Sequence, residues 1–464
     1  MRPVRAFALT SLLVLLAAGP APAAFEAPPV EIGQGSYRVG VTAATDFAGA
    51  TTAILSGVRG GTRIVRRPSA AGPWAPSEAL PGRALGVAAG PVVAAAGAGA
   101  LAVAWRIDTP KKYAAIAATA ADPGSGGALA APVVVSPADA GGVRHPAVAV
   151  DGAGRAVLAY NTGTRAIHLS LRGGIAISLR SPGGAFGTPV VVDPTPSSRP
   201  AVALAADGRG IVAWTHDRRV WAASVDTVAG TVGKVVALTG AGAHLSVVAT
   251  AGPDGGATVA WITHRTVGKG TARRTFTVLQ AAHRAGGAAA FPKTAVAIGP
   301  RGGRAAYIPT IVAAADERGT ATVAWTQRVF VPDRSVGING VTDSVQAATI
   351  GNGRAARFGK TVVLRRNGAV ECETPSVAAR AGASVVAWAC GDRRTETVST
   401  RSVAAGAFPT AVLRFTLNAR AATQSTPVVV GLDGTGLSTI LAVTSELPDP
   451  TQPQVSHVLA TTGR

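Results

Sequence analysis

Four of the seven histidines occupy matching places in a repeated phrase: His145 and His244 stand where an apolar segment begins, His216 and His264 just after one ends. Arginine accompanies them as Arg144, Arg199, Arg218 and Arg265, and Asp217 separates His216 from Arg218. An imidazole that titrates near neutrality and a guanidinium that never loses its charge hold carboxylate or sulfate oxygens by charge-assisted hydrogen bonds. These nine residues form the candidate ligand-binding set, and the chemistry expected of them is capture of an anion. Other chemistries leave no comparable pattern. Glycoside cleavage by two carboxyls needs an acidic pair flanking one bond, and Glu371, Glu373, Asp333, Asp343 and Asp392 form no recognisable pair. There is no GxSxG elbow, phosphate loop, CxxC, HxH or HExxH, so no catalytic residue, metal site or cofactor is assigned.

The elements that must position this set come from the repeat. In DGRGIVAWTHDRRVWAAS, Asp207–Ser224, a Gly-rich turn leads to an apolar strand ending in Trp214, then a burst of charge and a second strand. Aligning comparable phrases places anchors at Leu55, Trp105, Tyr160, Trp214, Trp261, Trp325, Trp388 and Val443, about 55 residues apart on average, which defines eight units. Unit three shows four short strands: HPAVAV, RAVLAY after DGAG, RAIHLSLRG, and PVVV in AFGTPVVVDP. Asp151, Asp207, Asp254, Asp316 and Asp433 fall at the first turn of their units, where Asp-Gly pairs supply the positive φ of a tight hairpin. Turn formation, not catalysis, is their expected role.

The fourth-strand signature, an aromatic followed by Pro or Thr and an apolar run, appears at Phe186, Phe291, Phe358 and Phe408, and once more at Phe25 before unit one begins. The last unit has only three strands before Arg464. Its missing strand therefore stands at the other terminus, and borrowing it removes the unpaired edges of an open array. The chain resembles a β-propeller closed in this manner, and its blade pattern is similar to that of sialidase-like and related secreted propellers. It lacks their Asp-box, so the resemblance implies the fold and not an activity. The expectation is an all-β propeller of about eight four-stranded blades, with seven as the alternative. A tandem of β-sandwiches needs about 100 residues per domain, a longer period than this one.

Residues 1–23 read as a cleaved signal peptide: Arg2 and Arg5, an apolar run from Ala6 to Ala18, and Ala21-Pro22-Ala23. No second long apolar run follows, so no membrane span is expected, and residues 24–464 form one domain. The recurring Trp residues belong to the packing between blades, and Trp221, outside that register, is the better ligand-facing tryptophan. Cys372 and Cys390 are placed symmetrically about a turn near Ala381 and are expected to form a disulfide.

The net charge of +20 favours anionic partners. Lys accounts for only six of the 44 basic residues, a bias that GC-rich coding produces without any function. Loops after the second strand vary most in length and charge, which marks their face as the binding end. The function expected is that of a secreted, monomeric binding module for an acidic glycan, cell-wall polymer or acidic protein. Nucleic acid ranks lower because no aromatic-interleaved basic stripe is present. The alternative is a carbohydrate-active hydrolase or lyase.

Overall fold

The computed structural model describes residues 29–463 except for 59–60, 70–71, 81–87, 97–98, 109–113, 138–142, 164–172, 269–273, 293, 300–305, 333–338, 354–355, 367–370, 373, 392–395, 405–412, 418–427, 436 and 447–454. The proposed signal segment 1–23 lies outside the described residues. All regular structure described is antiparallel strand, apart from a single 3-10 turn at Pro253–Gly255.

Unit four shows why the sequence makes a blade. Its strands, Ala201–Leu204, Arg209–His216, Arg219–Asp226 and Thr231–Ala237, lie side by side in chain order. The second strand is almost entirely buried on both faces, whereas the fourth alternates exposed and half-buried residues. That difference follows from position: the second strand of a blade has a neighbouring blade on each side, and the outermost one meets water.

The strands form seven hydrogen-bonded sheets arranged as a propeller ring. In two of them the inner strand is broken in two, Ala306–Tyr307 with Ile311–Ala315 and Glu371–Cys372 with Ser376–Arg380, so five strands are counted. One sheet has seven strands because Val30–Thr45 serves two units at once. Its first half pairs with Val455–Gly463, from Val30 opposite Ala460 to Ser36 opposite Val455. Its second half pairs with Thr51–Val58, from Gly40 opposite Ser56 to Thr45 opposite Thr51. The N-terminal strand thus closes the last blade, as the sequence implies, and continues directly into the first. Counted by hydrogen-bonded sheets the ring has seven members, the alternative count. The eight repeat units reappear in the packing, where eight apolar clusters each join two neighbouring units.

Trp105, Tyr160, Trp214, Trp261, Trp325 and Trp388 are fully buried in these clusters, so their recurrence is a packing requirement. Burial pushes the Tyr160 hydroxyl above the usual tyrosine range, and no described group bonds it. Cys372 and Cys390 face each other across unit seven and are disulfide-bonded. The hairpin turn between them has positive φ at Ala381 and Gly382.

Candidate functional site

The ring has two ends, and the first-to-second strand turns occupy one of them. There the repeated aspartates act on backbone. Asp151 Oδ1 accepts the N–H groups of Ala153 and Arg155, both at 3.0 Å. Asp316 Oδ1 accepts those of Arg318 and Thr320 at 3.0 and 2.8 Å. Asp433 Oδ1 accepts those of Thr435 and Leu437 at 2.8 and 2.9 Å. These carboxylates close turns, as expected from the sequence.

The other end carries the second-to-third loops and the beginnings of the inner strands, and here the fold makes a cavity of about 580 Å³. Its polar wall consists of His145, Ser197, Ser198, Arg199, Thr215, His244 and Ser246, with Pro200, Leu245, Val247, Val248 and Ile311 as the apolar part. Irregular strands bring the histidines there. Arg144–Val150 slips register against its neighbour between Ala159 and Asn161, and His145 takes a φ of +52°. Ala243–Ala251 slips between His244 and Val247, which leaves Leu245 and Ser246 unpaired in the ladder. Bulges of this kind re-aim side chains at the rim of a sheet.

Arg199 stands on a pinned backbone. The buried Asn161 side chain donates to the carbonyls of Ser197 and Ser198 at 3.2 and 2.9 Å. Ser198 N–H donates to Thr215 O, and Ser198 Oγ accepts Thr215 N–H, both at 2.8 Å. Arg199 itself is exposed on this fixed segment and borders the cavity.

His244 is part of the wall but spends its nitrogens internally. Val220 N–H donates to Thr239 Oγ1 at 3.0 Å, and the same hydroxyl lies 3.0 Å from His244 Nε2. Thr263 donates to Gln280 Oε1 at 2.7 Å and so accepts from His244 Nδ1 at 2.9 Å. His244 Nε2 also lies 3.3 Å from the Gly240 carbonyl, so both ring nitrogens are engaged within the fold. Burial holds its pKa below the usual histidine value. His244 therefore shapes the cavity and adds no charge to it near neutral pH.

His216 lies one residue beyond Thr215 and outside the cavity wall. Its Nδ1 is 3.3 Å from Asp193 Oδ2 and 3.2 Å from Thr195 Oγ1, and its ring is stacked on Trp221 at 6.2 Å between centroids. Burial alone pushes the Asp193 carboxyl up, but hydrogen bonds from Thr195 and Trp214 with the His216 charge hold it below the ordinary range. Asp217 and Arg218 form the two-residue loop after His216, with φ of +45° and +58° and neither of them Gly. Both are exposed. His264 packs against Tyr307 with centroids 6.3 Å apart, and Arg265 beside it is exposed. Arg144 is half-buried next to His145.

The nine candidate residues are thus divided. His145, Arg199 and His244 meet in one cavity, Arg144 adjoins it in sequence, and the others are spread along the same end of the ring. Sequence reasoning missed Ser197, Ser198, Thr215 and Ser246 in the wall, and Asn161 and Asp193 behind it. Only the contact between units three and four brings those last two to the site, and no local spacing encodes it. Among the described residues no group of three or more His, Cys, Asp or Glu is arranged to hold a metal ion. No described helix is long and apolar enough to cross a membrane.

No family model matches the chain, and no curated protein is similar to it in sequence. Solved structures are similar in fold at low identity. A polysaccharide lyase, an ulvan lyase bound to -[GlcA(1-4)Rha3S]-, is 10% identical with a TM-score of 0.43, over 78% of this chain and 89% of that one. The Aleuria aurantia lectin in complex with Fucalpha1-6GlcNAc is 13% identical with a TM-score of 0.35, over 72% and 97%. The NanB sialidase from Streptococcus pneumoniae is 8% identical with a TM-score of 0.38, over 83% and 69%. The chain is a β-propeller, and its likeness to these proteins is one of fold.

Proposed function

We propose that the protein is an exported binding module that takes an acidic glycan into the cavity at the loop end of the ring. The observation that carries this reading is the composition of the wall: Arg199, His145 and His244 border one space together with Ser197, Ser198, Thr215 and Ser246, and no carboxylate lines it among the described residues. A guanidinium in a polar wall that lacks carboxylates suits a ligand that carries a carboxylate or sulfate. A volume of about 580 Å³ falls within the range of small-ligand sites. A concave site of this size favours a glycan over the surface of an acidic protein. The net charge of +20 raises the encounter rate with any polyanion and is screened by salt. The disulfide, together with residues 1–23, supports export into an oxidising compartment. A monomer is expected, because the closed ring leaves no unit needing a partner strand.

Calorimetric titration with oligogalacturonate, a sulfated oligosaccharide and neutral cello-oligosaccharides tests the reading. Binding of the acidic sugars at physiological salt, lost in Arg199→Ala, is expected. Equal binding of every polyanion that disappears with salt would show that only the overall charge acts.

A further inference from the structure

His216 and the cavity share one stretch of chain. Thr195 and Ser197 touch the Asp193 and His216 pair, while Ser197, Ser198 and Arg199 line the cavity. The Asp193 side chain is only 10% exposed and fully engaged. Its Oδ2 accepts Trp214 Nε1–H at 2.7 Å and the Ser197 hydroxyl at 3.1 Å, and its Oδ1 accepts Thr195 N–H at 3.0 Å as well as the Thr195 hydroxyl. An ionised carboxylate is an acceptor only, so the neutral imidazole beside it carries its proton on Nδ1 and leaves the Nε2 lone pair outward. No described residue bonds His216 Nε2, and the side chain is 24% exposed. Trp221 fixes the ring from one face and donates its Nε1–H to His216 O at 3.0 Å. A carboxylate that sets the tautomer of a histidine with a free second nitrogen is the arrangement of a general base. His244, bonded through both nitrogens, cannot act so.

We propose that His216 is a general base for uronate-containing glycans, with Asp193 as its positioning residue, so that this face cleaves the chain it binds by β-elimination. His216 Nε2 takes the proton on C5, α to the uronate carboxylate, whose charge Arg199 offsets. The C5–H electron pair becomes the C4–C5 double bond, the C4–O4 bond breaks, and O4 leaves with its electron pair. The imidazolium returns the proton to O4. The step consumes no water, oxidant or reductant. It rests on the reading that this face binds acidic glycans.

The mature chain, residues 24–464, is incubated with oligogalacturonate and with a glucuronate-containing oligosaccharide, and binding is measured alongside product masses and the ultraviolet absorbance of unsaturated ends. The expected products lack the added water of hydrolysis. His216→Gln is expected to lower turnover at least ~100-fold while binding changes less than about twofold. Asp193→Asn is expected to lower turnover comparably and to alter its pH profile, because the asparagine no longer stabilises the imidazolium. Binding without any unsaturated product from about pH 5 to 9 would overturn the proposal and leave the binding function standing. Unsaturated product at an unchanged rate in His216→Gln would also overturn it, as would products carrying added water. Absence of binding would overturn both readings.

Discussion

The two ends of the ring are made from the same repeat and treat their polar side chains in opposite ways. At the turn end Asp46, Asp151, Asp316 and Asp433 are buried and bond the backbone of their own hairpins. Their geometry is dictated by the turn, which is why the sequence there repeats. Gly319, at a φ of +80°, shows the constraint, since a Cβ there would meet Asn352 Cγ at 2.8 Å. At the loop end the first strands begin with irregularities at His145 and His244, and the second strands lead into loops that differ in sequence from unit to unit. Arg199, Arg218 and Arg265 reach solvent there. In a repeat protein the positions that repeat hold the fold, and those that break the repeat are free to meet a ligand.

Substitutions in the shared core should affect both ends alike and most strongly. Trp388→Ala empties a fully buried site and is expected to reduce unfolding free energy by about 3–5 kcal/mol, read by denaturant titration. Replacing Cys372 and Cys390 by Ala, which opens a link between residues 18 apart, is expected to lower stability by about 3 kcal/mol in the same measurement.

The comparison sharpens when single residues at each end are changed. Asp433→Ala removes the acceptor of two N–H groups and of the Thr435 hydroxyl, and a loss of about 1–3 kcal/mol with unchanged glycan binding is expected. Arg199→Ala should do the reverse, leaving stability within about 0.5 kcal/mol and weakening acidic-glycan binding about tenfold or more. A turn-end change that abolished binding, or a loop-end change that melted the ring, would break the division.

Acidification should produce the smallest effect. Burial depresses the pKa of His244 and of His283 below the usual 6.5, so the unfolded chain binds protons that the folded chain does not. Their neutral forms contribute stability that is fully present above about pH 6.5 and is lost as the pH falls below that value toward the folded pKa. A lower melting temperature at about pH 5 than at about pH 7.5 is expected, with part of the difference removed in His283→Phe.

Much of the fold was legible in the chain. The Trp positions, the Asp-Gly turns, the paired cysteines and the closing strand each follow from local spacing and from the need to bury or pair what a strand exposes. The count of sheets was not, because one continuous strand, Val30–Thr45, belongs to the last and first units together. At the site, sequence placed His145, Arg199 and His244 on one end, since strand direction alternates regularly. It could not show that His244 is bonded on both nitrogens, or that Asp193 from unit three lies behind His216 from unit four. Both depend on how neighbouring units pack, which no spacing within a unit records.

The most direct test of the loop end as the binding end is a titration of residues 24–464 with oligogalacturonate at physiological salt, compared between the wild type, Arg199→Ala and the turn-end change Asp207→Ala. Saturable binding in the wild type and in Asp207→Ala, with loss in Arg199→Ala, is the predicted result. Equal weakening at both ends, or no binding once salt screens the net charge, would contradict it.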